Sequence, residues 1–175
     1  MVNAAWMNYN FVTVKKTPAT TPLDPSKIAI NSAQDKPGAE DEIHALVLVV
    51  DDSIDNLTML SLDLQQNGYR VATATNGEEA VKVAAMVNPD LILMDLAMPG
   101  VDGLESTRQI RESADLKDIP VIALTAFSTD GFRRAAHQTG FDGYLTKPVD
   151  FTRLHDLMRR LIGLYRSSRT AQRSS

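Results

Sequence analysis

The run ALVLVVDDS at residues 45–53 decides the fold of this 175-residue chain. Its first six residues are all apolar, as expected for a strand that is buried on both faces of a sheet. Two aspartates then end the strand, and Ser53 is a residue type that often caps a helix. Leucines follow at helical spacing, at Leu57, Leu60 and Leu64. The run therefore predicts a buried strand, a short acidic loop and an amphipathic helix.

The same strand-to-helix alternation occurs five times in about 120 residues, which predicts a parallel sheet with helices on both faces. After the first unit, the predicted strands are 69–74, 91–94, 120–124 and 143–146. The predicted helices cover 77–88, the stretch around Leu104 to Ile110, 130–139, and a long amphipathic stripe from Phe151 to Leu164. Strands one, three and four are apolar throughout, whereas strand two is mixed and strand five is short. The predicted fold class is therefore α/β, a doubly wound, flavodoxin-like five-stranded sheet of order 2-1-3-4-5.

Composition divides the chain into three segments. Residues 1–44 hold four of the eight prolines and show no helical period, so we expect a flexible N-terminal extension. An apolar cluster around Trp6 is open to several interpretations, namely an unstructured leader, a short strand or a docking motif. Residues 45–165 form the predicted domain, and the basic, serine-rich residues 166–175 a disordered tail. Neither flanking segment reaches ordinary domain size, so we expect no DNA-binding domain and no enzymatic output domain.

Charge, cysteine content and hydropathy exclude several classes of protein. The net charge of −4 argues against a dedicated nucleic-acid-binding protein, which usually has a basic excess. The chain has no cysteine, which excludes a disulfide scaffold, a thiolate metal site and a cysteine nucleophile. No apolar run approaches the roughly 20 residues of a membrane span, and the first residues lack the pattern of a secretory signal. We therefore expect a cytoplasmic protein that makes no membrane contact.

Polar residues end the predicted strands, and the carboxyl ends of parallel strands meet at one edge of the sheet. Strand one ends in Asp51 and Asp52, strand three in Asp95, strand four in Thr125, and strand five just before Lys147. Each residue alone also fits a turn, a cap or a solvated loop, but their coincidence at one edge favours a site. Three adjacent carboxylates call for a cation, and hard oxygen ligands favour Mg²⁺. The residues at this edge therefore predict phosphoryl transfer onto an aspartate. The Thr125 hydroxyl and the Lys147 ammonium group would hold the phosphoryl oxygens.

Four motifs follow one another between residues 46 and 164: VLVVDDSIDN (47–56), LILMDLAMPGVDG (91–103), VIALTA (121–126) and GYLTKP (143–148). In this order and at this spacing they resemble the receiver domain of two-component response regulators. The resemblance implies a single-domain response regulator that takes a phosphoryl group from a histidine kinase or a histidine phosphotransfer protein. Such a protein signals or relays by phosphorylation-dependent binding to another protein, and it is not a turnover enzyme. The downstream target stays unnamed, and a phosphorylation-dependent homodimer stays open.

The resemblance also implies which residues form the acceptor and the metal site. Asp95 would be the phospho-acceptor. Asp51, Asp52 and Asp95 would hold Mg²⁺, or alternatively Mn²⁺, together with the backbone carbonyl of Ala97. These roles match the chemistry that the strand ends predict independently, since carboxylate and carbonyl oxygens suit both ions.

The remaining implied roles concern phosphoryl binding and the switch. Thr125 and Lys147 would bind phosphoryl oxygens, and Thr125 and Tyr144 would move together when Asp95 is phosphorylated. The bond between Lys147 and Pro148 would be cis, which a proline permits. Five residues of the predicted fourth helix would form a partner surface, although they equally suit a solvated helix face: Phe132, Arg133, Arg134, His137 and Gln138.

Three competing interpretations are weaker. A haloacid-dehalogenase-like phosphatase would need a second acid two residues after Asp51, where this chain has Ser53. A nucleotide- or flavin-binding module would need a glycine-rich first loop without the two acidic charges. A degenerate receiver that acts only as an interaction scaffold would not require the four residues present here, Asp52, Asp95, Thr125 and Lys147. Phosphorylation of the chain in the presence of Mg²⁺ would separate these interpretations.

Overall fold

The structure is a computed structural model, and it describes residues 45–98, 103–126, 134 and 137–173. Five strands form one parallel sheet of order β2-β1-β3-β4-β5. The strands are β1 (Leu46–Val50), β2 (Arg70–Ala74), β3 (Leu91–Asp95), β4 (Val121–Thr125) and β5 (Gly143–Thr146). This topology confirms the predicted fold class and strand order. Each strand boundary lies within one residue of its predicted position.

Helices cover both faces of the sheet: α1 (Ile54–Gln66), α2 (Gly77–Val87), α3 (Gly103–Glu112) and the last helix (Phe151–Arg173). All five residues of β1 are buried, because successive side chains point to opposite faces and both faces are covered. Leu48 packs in the cluster that contains the buried residues of α2 and α3. Val49 packs in the other cluster, with α1 and the last helix. The uninterrupted apolar run follows directly from this double burial.

Side-chain caps fix where the helices start and stop, so the strand ends are held in place. Ser53 accepts a hydrogen bond from the Asn56 amide at 3.4 Å at the start of α1. Asn76 does the same for the Glu79 amide at 2.9 Å at the start of α2. The α2 helix stops because Asn88 takes a left-handed conformation, with φ of 46°, and a proline follows it.

The last helix is longer than the sequence suggests, which corrects the expectation of a disordered tail from residue 166. It continues through Arg173, and residues 174–175 lie outside the described part of the chain. Tyr165 is 7% exposed and joins the core, and Arg166 pairs with Asp90 at 3.1 Å. The Arg169 guanidinium stacks over the Tyr165 ring at 5.3 Å. The pair of Arg166 with Asp90 joins residues 76 positions apart in the sequence, so local composition did not reveal it.

One residue of the predicted apolar stripe on the last helix is also placed differently. Leu164 is 64% exposed, whereas Leu154, Met158 and Ile162 are buried. At about 100° per residue, Leu164 and Ile162 lie about 80° to opposite sides of Leu154. The sheet covers the side that carries Ile162 and Tyr165, so the buried stripe turns away from Leu164.

Several sequence predictions fall outside the described residues. They are the N-terminal extension at 1–44 with its apolar cluster, Phe132, Arg133, and most of the predicted helix at 130–139. Within that stretch, residue 134 and residues 137–139 are helical. Among the described helices, none combines the length and the apolar character that crossing a membrane requires.

Candidate functional site

Three carboxylates meet at the carboxyl edge of the sheet. Asp51 follows β1 and is fully buried, Asp95 ends β3 and is 3% exposed, and Asp52 is exposed. One oxygen of each carboxylate lies within 4.8 Å of the others. The three meet because β1 and β3 are adjacent parallel strands whose carboxyl ends stop together. The structure thus brings together the three acids that the strand ends predicted to be neighbours.

Lys147 lies between two of these carboxylates. Its Nζ donates hydrogen bonds to Asp51 Oδ2 at 2.7 Å and to Asp95 Oδ2 at 2.8 Å. The residue follows β5, and its amide donates to the Thr125 carbonyl at 2.7 Å. Burial lowers the pKa of Lys147, but the hydrogen bonds and charges of Asp51 and Asp95 outweigh this, so the pKa is raised. The side chain is therefore an ammonium that offsets part of the carboxylate charge.

The Asp51 carboxylate is also held by its own loop. The Ser53 amide donates to Oδ1 at 2.9 Å, and Asn56 Nδ2 contacts both oxygens, at 3.0 and 3.1 Å. Asn56 was missed by sequence reasoning. The available signal was its place in the first turn of α1, where side chains point back toward the helix N-terminus and the preceding loop. These bonds compensate for removing the carboxylate from water.

The backbone after β3 is packed tightly around Asp95. The Ala97 amide donates to Asp95 Oδ1 at 3.0 Å, so the residue whose carbonyl is predicted to bind the metal lies directly beside Asp95. Gly103 opens α3 against this loop, and a Cβ at that position would lie 2.3 Å from the Asp95 backbone oxygen. Sequence reasoning quoted Gly103 within a motif but assigned it no role. Glycine is needed there because the backbones approach too closely for a side chain.

Thr125 and Tyr144 lie on neighbouring strands beside the carboxylates. Thr125 ends β4 and is fully buried, one residue beyond Leu124, which pairs with Asp95. Tyr144 on β5 pairs with Ala123 and is partly buried against the core. Since side chains two residues apart in a strand share a face, Tyr144 and Thr125 point to the same side of the sheet.

The predicted partner surface is only partly described. Arg134, His137 and Gln138 are exposed, in keeping with a helix face that is open to solvent. Phe132 and Arg133, the other two members, lie outside the described residues. The Lys147–Pro148 bond is cis, as the sequence resemblance implies.

The donor set at this edge fits Mg²⁺. Each of the three carboxylates offers one oxygen that a metal ion could use, and Asp52 is exposed to solvent. Mg²⁺ prefers this kind of site, where one or two carboxylates bind it while several waters remain and a phosphate can replace one of them. The Lys147 ammonium, which contacts the Asp95 carboxylate, is close enough to meet the oxygens of a phosphoryl group bound there.

Residues 47–159 match the family model for the response regulator receiver domain. The chain belongs to this family. The polar-differentiation response regulator DivK of Brucella anthropi is 35% identical over 117 residues, which cover 67% of this chain and 95% of that protein. DivK of Brucella ovis is 34% identical over the same length. The chain therefore carries a receiver domain of two-component phosphorelay signalling.

Solved structures support the same assignment. The chemotaxis protein CheY4 of Vibrio cholerae superposes with a TM-score of 0.64 at 34% identity, covering 67% of this chain and 98% of that one. The receiver domain of sensor histidine kinase PA1611 from Pseudomonas aeruginosa has a TM-score of 0.64 at 37% identity, covering 68% and 98%. The latter structure has a magnesium ion coordinated in its active site cleft.

Proposed function

We propose that this receiver domain accepts a phosphoryl group on Asp95 and signals through phosphorylation-dependent protein binding. The donor is a histidine kinase or a histidine phosphotransfer protein. The observation that carries the proposal is the bridge from Lys147 to Asp95 and Asp51, beside the exposed Asp52. A carboxylate held by a cation next to further metal-binding oxygens is what a nucleophile toward phosphorus requires.

In the proposed reaction, a carboxylate oxygen of Asp95 attacks the phosphorus of a phosphohistidine. A new O–P bond forms as the P–N bond breaks, and the electron pair stays on the imidazole nitrogen. Asp51, Asp52 and Asp95 would hold Mg²⁺ together with the carbonyl of Ala97. When bound, the ion supplies positive charge that offsets the repulsion between the carboxylates and the phosphoryl oxygens.

Lys147 and Thr125 would then respond to the new charge. Lys147 can exchange one carboxylate partner for a phosphoryl oxygen, because its Nζ already touches the acceptor. Thr125, on the neighbouring strand, would turn its hydroxyl toward another phosphoryl oxygen. Tyr144 shares the Thr125 face of the sheet, so it would follow inward and alter the surface near β5. A partner that reads this surface would bind the phosphorylated form more tightly.

Measuring the intact mass of the chain after incubation with Mg²⁺ and a small acyl phosphate tests the proposal. We expect the gain of one phosphoryl group, and no gain when Mg²⁺ is omitted. The Asp95→Asn variant should gain none, whereas Asp115→Asn, an exposed carboxylate elsewhere, should behave as the parent chain. An adduct that persists in Asp95→Asn would refute Asp95 as acceptor. No adduct on the parent chain would refute phosphoryl acceptance altogether.

A further inference from the structure

The hydrogen bonds around the Asp51 carboxylate use all of its acceptor positions. A carboxylate offers about four lone-pair sites, two on each oxygen. The Ser53 amide and Asn56 Nδ2 contact Oδ1 at 2.9 and 3.0 Å. Asn56 Nδ2 and Lys147 Nζ contact Oδ2 at 3.1 and 2.7 Å. Asp51 can therefore turn an oxygen toward a metal ion, or toward a water bound to that ion, only after one of these donors has left.

The other two carboxylates of the group are less fully occupied. Asp95 Oδ1 accepts from the Ala97 amide at 3.0 Å, and Asp95 Oδ2 accepts from Lys147 at 2.8 Å, so each oxygen has one donor among the described residues. Asp52 is exposed, so solvent reaches its side chain. Among the three acids, Asp51 is thus the one that becomes available to a metal ion only when an existing hydrogen bond is broken.

Asn56 is the donor that can leave Asp51 most easily. Its contacts are the longest of the four, and because one nitrogen makes both, its departure frees a position on each oxygen. The side chain is uncharged and half-buried, so it can turn toward solvent. Lys147 is held by Asp95 as well, and charged donors form the stronger hydrogen bonds. The Ser53 amide belongs to the backbone that caps α1.

We propose that Asn56 holds Asp51 in the metal-free domain and releases it when Mg²⁺ binds. Asn56 is then a positioning residue that acts through Asp51 and sets the metal affinity. Its two contacts stabilise the buried carboxylate while no ion is bound, and they compete with the ion for the same oxygens. A contact that stabilises only the metal-free form lowers the affinity for the metal by the same factor. The inference rests on the proposed magnesium site.

Titrating the full chain with MgCl₂ at constant ionic strength tests the proposal. The Kd is read from the backbone amide signal of Ala97 in ¹⁵N-correlated NMR spectra, because this amide contacts Asp95. Asn56→Ala removes the competing donor, so we expect it to bind Mg²⁺ roughly fivefold more tightly than the parent chain, the equivalent of about 1 kcal/mol. Gln66→Ala removes an exposed amide from the same helix and should keep the parent Kd.

The direction of the change in Kd separates competition from support. If Asn56 only held Asp51 in the orientation that the metal needs, Asn56→Ala would bind Mg²⁺ more weakly. A Kd for Asn56→Ala that is equal to or weaker than the parent value would therefore overturn the proposal and leave the magnesium site standing. A parent chain that binds no Mg²⁺ would overturn the magnesium site as well, so the two failures are distinguishable.

The side-chain amide signals of Asn56 give a second measurement that needs no substitution. In the parent chain, Mg²⁺ should move these signals toward the positions of a solvated amide and speed their exchange with water, since Nδ2 loses its acceptors. The change should follow the same binding curve as the Ala97 amide. The side-chain amide of Gln66 should not respond. Asn56 signals that are unchanged at saturating Mg²⁺ would overturn the proposal.

Discussion

Asp51 is fully buried, and each of its carboxylate oxygens receives two hydrogen bonds from described residues. Oδ1 accepts from the Ser53 amide and from Asn56, and Oδ2 accepts from Asn56 and Lys147. A charge this deeply buried is tolerated only when its lone pairs are used, because unpaired burial of an ion is costly. Lys147 supplies a positive charge that balances the carboxylate, and Asn56 fixes the orientation of the carboxylate by bonding both of its oxygens. Together, Lys147 and Asn56 explain how the Asp51 carboxylate can be buried at the edge of an apolar sheet.

Replacing Asn56 with alanine should destabilise the domain by about 2 kcal/mol, because two hydrogen bonds to a buried carboxylate are lost. Urea unfolding measured by circular dichroism checks this. Gln66→Ala changes an exposed amide in the same helix and is the matched control, with an expected change within about 0.5 kcal/mol. Equal stability of the two variants would show that Asn56 does not support Asp51.

Sequence reasoning found the charged residues of the site and missed the two residues that support them. Asp51, Asp95 and Lys147 lie at or just after the carboxyl ends of strands, and parallel topology alone predicts that these ends meet. Asn56 and Gly103 act through a hydrogen bond and a close approach, which depend on how α1 and α3 are oriented. Neither Asn56 nor Gly103 belongs to the pattern of apolar residues at helical spacing, so that pattern does not single them out.

At the scale of secondary structure, α3 starts directly against the loop that follows Asp95. The Gly103 position leaves no room for a Cβ, which would lie 2.3 Å from the Asp95 backbone oxygen and 2.9 Å from a side-chain carbon of Met94. Any side chain there must push α3 or the β3 end out of place. The position of Asp95 thus depends on a helix that contributes none of the charged residues of the site.

Gly103→Ala should therefore lower stability by more than about 2 kcal/mol and reduce phosphorylation, since both the packing and the acceptor loop shift. Gly163→Ala in the last helix is the matched control, because nothing lies within 4 Å of its added Cβ. That variant should gain up to about 1 kcal/mol, the difference in helix propensity between alanine and glycine. Thermal unfolding and the mass assay measure both effects, and a neutral Gly103→Ala would contradict the packing argument.

The last helix gives a second test at this scale. Ile162 is 2% exposed and Leu164 is 64% exposed, although both are large apolar residues in the same turn. Ile162→Ala should cost about 2–4 kcal/mol through the cavity it leaves, whereas Leu164→Ala should change stability by less than about 0.5 kcal/mol. Chemical denaturation of the two variants checks this. Similar losses would mean that the helix is rotated relative to the structure described here.

A partly buried arginine joins separate elements at the amino edge of the sheet. Arg111 at the end of α3 donates to the backbone carbonyls of Gly140, Lys117 and Ile119, and it pairs with Asp142 at 2.8 Å. Burial lowers the pKa of Arg111, and the charge of Asp142 opposes this. The contacts fix the loops that lead into β4 and β5, and therefore help to place Thr125 and Lys147 at the other end of those strands.

For the whole molecule, Mg²⁺ binding should appear as added stability. A ligand that binds the folded state alone stabilises it by about 1.4 kcal/mol at ten times its Kd, which raises the Tm of a domain this size by about 5 °C. Asp52→Asn should abolish the shift with little change in the metal-free Tm, because Asp52 is exposed. Differential scanning calorimetry measures both, with Asp115→Asn as control. A full shift in Asp52→Asn would remove Asp52 from the metal site.

The sequence by itself determined the fold class, the strand order and the charged residues of the carboxyl edge. It could do so because burial on both faces requires uninterrupted apolar strands, and because parallel strands bring their ends together. The tertiary structure alone decided the support of Asp51 by Asn56, the closeness of Gly103 to Asp95, and the full length of the last helix. Each of these depends on contacts between residues whose spacing follows no local period, such as Arg166 with Asp90. The period of the apolar residues predicts which face of a helix or strand is buried. The orientation of one element relative to another is set only when the elements pack together.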